Sequence, residues 1–120
     1  MFRRQTLAKR SQYERVYKSG IAKGDKYIVI KALANDLEFS RFGYSTNKSL
    51  GKAVERNRVR RRLREIVRAE HIKPGWDIVF IARSSTVTVD YQQLEKSVSG
   101  LLNRADLLLN KDEVVSTKVN

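Results

Sequence analysis

The chain has 120 residues, 41% of them apolar, with 25 basic and 13 acidic side chains for a net charge of +12, and no cysteine. That length supports one domain with one core, and the apolar share favours a folded globule over a disordered polycation. Disulfides and thiolate metal sites are excluded, and runs such as Ile28-Val29-Ile30 are far too short to cross a bilayer.

The charge is unevenly spread. Residues 1–70 carry the whole excess, 19 basic against 7 acidic, whereas residues 71–120 balance at 6 of each. Such asymmetry points to a polyanionic partner, because each neutralised phosphate releases condensed counterions. No segment joins strong basicity to a broad apolar face, which argues against a membrane surface. The start, Met1-Phe2-Arg3-Arg4, lacks the apolar stretch and small-residue cleavage site of a secretory signal, so a cytoplasmic protein is expected.

In chain order, the first predicted element is a helix over residues 11–19. Ser11 caps it, Tyr13, Val16 and Tyr17 share one side, and Gly20 stops it. A short strand near Ile21-Ala22 follows. Residues 26–34 read as a buried strand, with Tyr27, Val29 and Leu33 on one face and Ile28, Ile30 and Ala32 on the other. Asn35-Asp36 reads as a hairpin turn into a strand over residues 39–47. There Phe42, Tyr44 and Thr46 form a core face. Arg41, Gly43, Ser45 and Asn47 form a small, polar face suited to close approach. Residues 52–70 read as the longest helix. Lys73-Pro74-Gly75 is a turn, and residues 77–83 are a strand whose apolar run implies burial on both faces. Asp90 caps a last helix reaching about Leu109, with Leu94, Val98, Leu101, Leu102, Ala105 and Leu108 as its apolar stripe, and the tail from Asn110 onward frays. Helix, two or three strands, helix, strand, helix is the order of an α+β layer structure.

Residues 48–68 hold nine basic and two acidic side chains. At about 100° per residue, Val59, Leu63, Ile66 and Val67 fall on one side of the long helix. Asn57, Arg61, Arg64 and Arg68 make a straight stripe opposite, flanked by Arg58 and Arg60, while Arg56 sits near the apolar edge. Stacked like charges cost about 0.2–0.5 kcal/mol per pair, so the stripe needs a partner. Arginine outnumbers lysine seven to one across residues 52–68. Its forked guanidinium grips phosphate bidentately and stacks on bases. Gly51 and Lys52 precede the helix. Gly51 is either an ordinary turn glycine or part of a helix-start phosphate site. Tyr13 and Tyr17, four apart, are either core residues or a stacking pair; tyrosine at both positions suits a half-wet site.

The stretch from Lys48 through Gly51, Ala53-Val54, Arg56-Asn57 and Arg60-Arg61 to Arg64-Glu65 resembles the signature of the bacterial ribonuclease P protein. Leu7 to Gly20 is similar to that family's first helix. Arg41-Phe42-Gly43-Tyr44-Ser45 and Asp77-Ile78-Val79-Phe80-Ile81-Ala82-Arg83 are similar to the strands on either side of the signature. The resemblance covers roughly residues 7–105. It implies a small mixed four-stranded sheet covered by about three helices, with a left-handed βαβ crossover shared with some ribosomal proteins. It implies one RNA-binding domain over residues 1–120, ordered over about 7–109, acting as a monomer apart from the ribonucleoprotein.

The implied function is to assist a catalytic RNA, with magnesium required by the holoenzyme, in removing the 5′ leader of precursor tRNA. No catalytic residue and no metal ligand is expected in the protein. By position, Lys48, Lys52, Arg56, Asn57, Arg58, Arg60, Arg61, Arg64 and Arg68 correspond to the contacts with ribonuclease P RNA. Tyr13, Tyr17, Arg41 and Ser45 correspond to the leader cleft. The sequence departs from the family pattern at Asn47, Ser49, Arg60 and Arg62, and at Ile30, where some members carry another aromatic. A ribosomal protein would share the charge and the fold, though not the ordered signature with its aromatic pair. A helix-turn-helix regulator would need a helix where strands are predicted. A protein nuclease would need more than the lone His71, which sits near a helix end and reads as structural.

Overall fold

The computed structural model describes residues 5–110. Beyond Asn110, the expectation of a frayed tail lies outside the described residues. The elements are β1 (Gln5–Thr6), α1 (Arg10–Ser19), β2 (Ile21–Gly24), β3 (Ile28–Ala34), β4 (Arg41–Ser45), α2 (Ala53–Ala69), β5 (Trp76–Ala82) and α3 (Tyr91–Arg104). Short 3-10 turns, Lys48–Leu50 and Ser84–Val87, lead into α2 and follow β5. The mixed sheet has four main strands and the two-residue β1, in the order β1-β4-β5-β3-β2.

The apolar run of β5 places it at the centre. Ile78, Val79 and Phe80 are fully buried, which requires cover on both faces and strands on both sides. On one side β3 pairs antiparallel, with Ile30 opposite Phe80; on the other β4 pairs parallel, with Tyr44 opposite Phe80. This corrects the hairpin expected at Asn35-Asp36. The chain does turn there, with Asn35 Oδ1 accepting the Leu37 N–H at 2.8 Å and Asp36 at φ 59°. But β5 lies between β3 and β4, because it carries the larger apolar surface to bury. β4, α2 and β5 form the expected βαβ unit, in which parallel neighbours are joined through a helix.

One sheet face carries Ile28, Ile30, Ala32, Phe42, Ile78, Phe80 and Ala82. Val59, Leu63, Ile66 and Val67 of α2 pack on it, with Leu94, Val98, Leu101 and Leu102 of α3. Each such side chain contributes roughly 1.5–3 kcal/mol when fully buried. The opposite face bears a smaller cluster, Leu7, Val16 and Val79, with Tyr13, Leu33 and Ile81 around it, and α1 lies over that cluster. Tyr27 packs with the larger core rather than beside Val29 and Leu33, since it precedes β3 and escapes the alternation.

Two helix ends differ from expectation. Gln12, not Ser11, closes the start of α1: its Oε1 accepts the N–H groups of Ala8 and Lys9 at 2.9 and 3.1 Å. Asp90 does cap α3, accepting the Gln93 N–H at 2.7 Å. That helix stops at Arg104, short of Leu109. Asp106 takes a left-handed φ of 58°, and the reversal buries Leu107 completely.

Candidate RNA-binding surfaces

The approach to α2 is built from a tight turn. Asn47 Oδ1 accepts the Ser49 N–H at 3.0 Å, and Leu50 anchors the turn in the core. Gly51 then adopts φ 123°, a region that side chains strongly disfavour. The Lys52 N–H donates to Glu55 Oε2 at 2.5 Å, so a carboxylate of the chain itself takes this donor at the helix start. Lys48 and Lys52 stand exposed on the turn.

Along α2 the buried and exposed residues follow the helical wheel. Asn57, Arg61, Arg64 and Arg68 are all exposed, opposite the buried Val59, Leu63, Ile66 and Val67. Arg64 lies over the Tyr44 ring, its Cζ 5.7 Å from the centroid, a cation–π contact. The flanking arginines are tied down. Arg60 donates to Asn57 Oδ1 at 3.0 Å and to Thr46 Oγ1 at 2.6 Å. Arg58 donates to the Val87 carbonyl at 2.8 Å. The Nε atoms of Arg56 and Arg58 are enclosed without a hydrogen-bond partner among the described residues, which fits stems packed along the apolar edge.

A second surface lies on the other face of the sheet, beneath α1. Gly43 exists for Tyr13: a Cβ there would sit 2.6 Å from the Tyr13 ring. The close approach expected of the small β4 face is thus made by the ring of Tyr13. The Tyr13 hydroxyl donates to the Leu7 carbonyl at 3.2 Å. Burial pushes its pKa above the ordinary value, the Tyr17 phenol adds to the rise, and the Tyr44 N–H and Arg60 pull partly the other way. The phenol therefore stays protonated at neutral pH. Tyr17, 39% exposed, stands 6.4 Å from Tyr13 between ring centroids. Lys31 Nζ lies 5.4 Å from the centre of the Tyr17 ring. Lys31 was missed from sequence, although its alternation with Val29 and Leu33 puts it on this face.

The other two residues assigned to the cleft differ in kind. Ser45 lies half-buried on β4, two residues beyond Gly43. Arg41 is ion-paired: its Nε and NH2 donate to the two Asp77 oxygens at 2.7 and 2.6 Å. Ile30 is buried in the larger core, on the face away from Tyr13, so it offers no third stacking position. Thr46, read from sequence as core, is half-buried and its hydroxyl receives Arg60. Among the described residues no group of three or more His, Cys, Asp or Glu could hold a metal ion, and no helix is long and apolar enough to cross a membrane.

Comparison with known proteins agrees with this geometry. The family described as Ribonuclease P matches residues 1–106. The ribonuclease P protein component of Dehalococcoides mccartyi is 44% identical over 114 residues, covering 95% of each chain. That of Clostridioides difficile is 45% identical, covering 84% of this chain and 91% of its own. Among solved structures, the RNase P protein of Staphylococcus aureus superposes with a TM-score of 0.80 at 29% identity, over 89% of this chain and all of its own. The Thermotoga maritima protein gives 0.77 at 31% identity, over 84% and 97%. The chain, with its arginine helix crossing between parallel strands and its aromatic pair beneath the sheet, belongs to the ribonuclease P protein family.

Proposed function

We propose that this chain serves ribonuclease P through two adjoining surfaces, one for the catalytic RNA and one for the leader of precursor tRNA. As a ribonuclease P protein it is the non-catalytic subunit of an endonuclease whose RNA performs the 5′ maturation of tRNA. The exposed stripe Asn57-Arg61-Arg64-Arg68 grips phosphates of that RNA, with Lys48, Lys52, Arg56, Arg58 and Arg60 around it. Tyr13 and Tyr17 stack on unpaired leader bases, a contact that tolerates any sequence. Ser45 lines the same cleft, and Arg41 braces it through Asp77. Magnesium is required by the holoenzyme. The chain works in the cytoplasm, as a monomer apart from the ribonucleoprotein.

The observation that carries this reading is the junction between the surfaces. Arg60 hydrogen-bonds to the end of β4 and lies near enough to the Tyr13 phenol to lower its pKa. An RNA seated on α2 thereby presents its substrate's leader to α1.

The test is reconstitution. The isolated chain is expected to leave precursor tRNA uncut, and with its RNA to raise cleavage at low magnesium. Arg61→Ala with Arg64→Ala weakens assembly and lowers the slope of log affinity against log salt by about 2. Tyr13→Ala spares assembly and weakens leader-bearing substrate by about 1–3 kcal/mol. Equal loss of the same step in both variants would refute the division of roles.

A further inference from the structure

The stripe on α2 begins one turn earlier than its first polar residue. Val54 lies three residues before Asn57 and seven before Arg61, which places it at the head of the same face. It is 79% exposed; the next most exposed large apolar side chain among the described residues is Ile21, at 47%. Single exposed apolar residues are common on proteins and need no partner. Val54 differs in its setting. It is β-branched, and so a poor choice for a solvated helical position where alanine or lysine would serve better. Around it Lys48, Ser49 and Lys52 stand exposed on the preceding turn, and the stripe continues it in one line.

We infer that Val54 is an RNA-contacting residue that packs on a ribose or base face of the catalytic RNA while the neighbouring lysines and arginines hold the flanking phosphates. The inference rests on the assignment of the α2 stripe to that RNA. Two features favour this occupant over a protein or a lipid: the patch continues the stripe, and the stretch from Asn47 to Val54 carries two lysines and no acidic residue. Sequence-independent attraction to phosphates, on its own, lets a protein slide along a nucleic-acid backbone. A buried apolar contact at one end fixes where the helix stops along the RNA, and it is insensitive to salt.

That insensitivity provides the test, in titrations of catalytic RNA with the full chain at several salt concentrations. Val54→Ala improves helix propensity, so a loss cannot come from a melted helix. It removes two methyl groups, and assembly should weaken roughly 5- to 15-fold with the salt slope unchanged. Arg61→Ala with Arg64→Ala, run beside it, should lower the slope. Wild-type affinity for the Val54→Ala chain, with the arginine variant behaving as expected, overturns the inference and leaves the interface standing. A loss confined to leader-bearing substrate overturns the choice of occupant. An arginine variant that assembles normally overturns the interface reading and this inference with it.

Discussion

Arg41 and Asp77 are the one ion pair among the described residues with both side chains largely out of solvent. The pair is bidentate, and Asn35 Nδ2 adds a third hydrogen bond to Asp77 Oδ1 at 2.9 Å. Such a pair stabilises little against a well-packed apolar substitute, but breaking it strands a buried charge. Asp77→Ala is therefore expected to destabilise the fold by about 3–5 kcal/mol, read by denaturant unfolding. Arg41→Ala should cost similarly, and a fall in leader affinity would then follow a loosened β4 rather than a lost contact. From sequence, Asp77 and Arg41 stood thirty-six residues apart, one opening the strand over residues 77–83 and the other as a leader contact on the strand over residues 39–47. Only the parallel register that sets Arg41 against Asp77 reveals the pairing. Gly43 is the converse case, since its smallness was legible and its purpose was not. Gly43→Ala should push the Tyr13 ring off β4, costing about 1–3 kcal/mol of stability. Binding of precursor tRNA should fall toward that of mature tRNA, while assembly with the catalytic RNA holds.

At the scale of elements, the two sheet faces are unequally filled. α2 and α3 together bury eight side chains against the larger core, whereas α1 buries only Val16. Local opening follows buried apolar contact, so α1 should exchange its amide hydrogens through small openings, while α2 and β5 exchange only on global unfolding. Hydrogen exchange under native conditions checks this; equal protection of α1 and α2 would contradict it. A loosely held α1 suits the proposed leader cleft, which would admit single strands of varied sequence. The elements themselves were legible because each carries a strong period: 3.6 in α2 and α3, two in β3, an unbroken apolar run in β5. What was not legible was adjacency. Neighbours in sequence, β3 and β4, looked like a hairpin because their turn is short and polar. The central place of β5 is decided by a global competition for burial that no local window contains.

At the scale of the whole molecule, the sheet separates the two proposed surfaces, and the residues of β4 and α2 that meet at its end join them. Asn57, Arg61, Arg64 and Arg68 could be read from the wheel because a helix repeats locally. The contact between Arg60 and Thr46, and the approach of Arg60 to Tyr13, could not, because they depend on how α2 lies across β4. Arg60 thus stands apart from the other arginines. Arg68, at the far end of the helix, faces solvent, and Arg68→Ala should weaken assembly alone. Arg60→Ala removes a proposed phosphate grip and also frees Thr46, Asn57 and the Tyr13 phenol from a fixed neighbour. It should weaken assembly and, in holoenzyme saturated with protein, still weaken leader-bearing substrate. A double-mutant cycle isolates the second effect. If Arg60 acts on the leader by holding the β4 end beneath Tyr13, Arg60→Ala and Tyr13→Ala should couple by about 0.5–3 kcal/mol in substrate affinity. Arg68→Ala and Tyr13→Ala should add independently. Additivity in the first pair would mean that the two surfaces are neighbours without being linked.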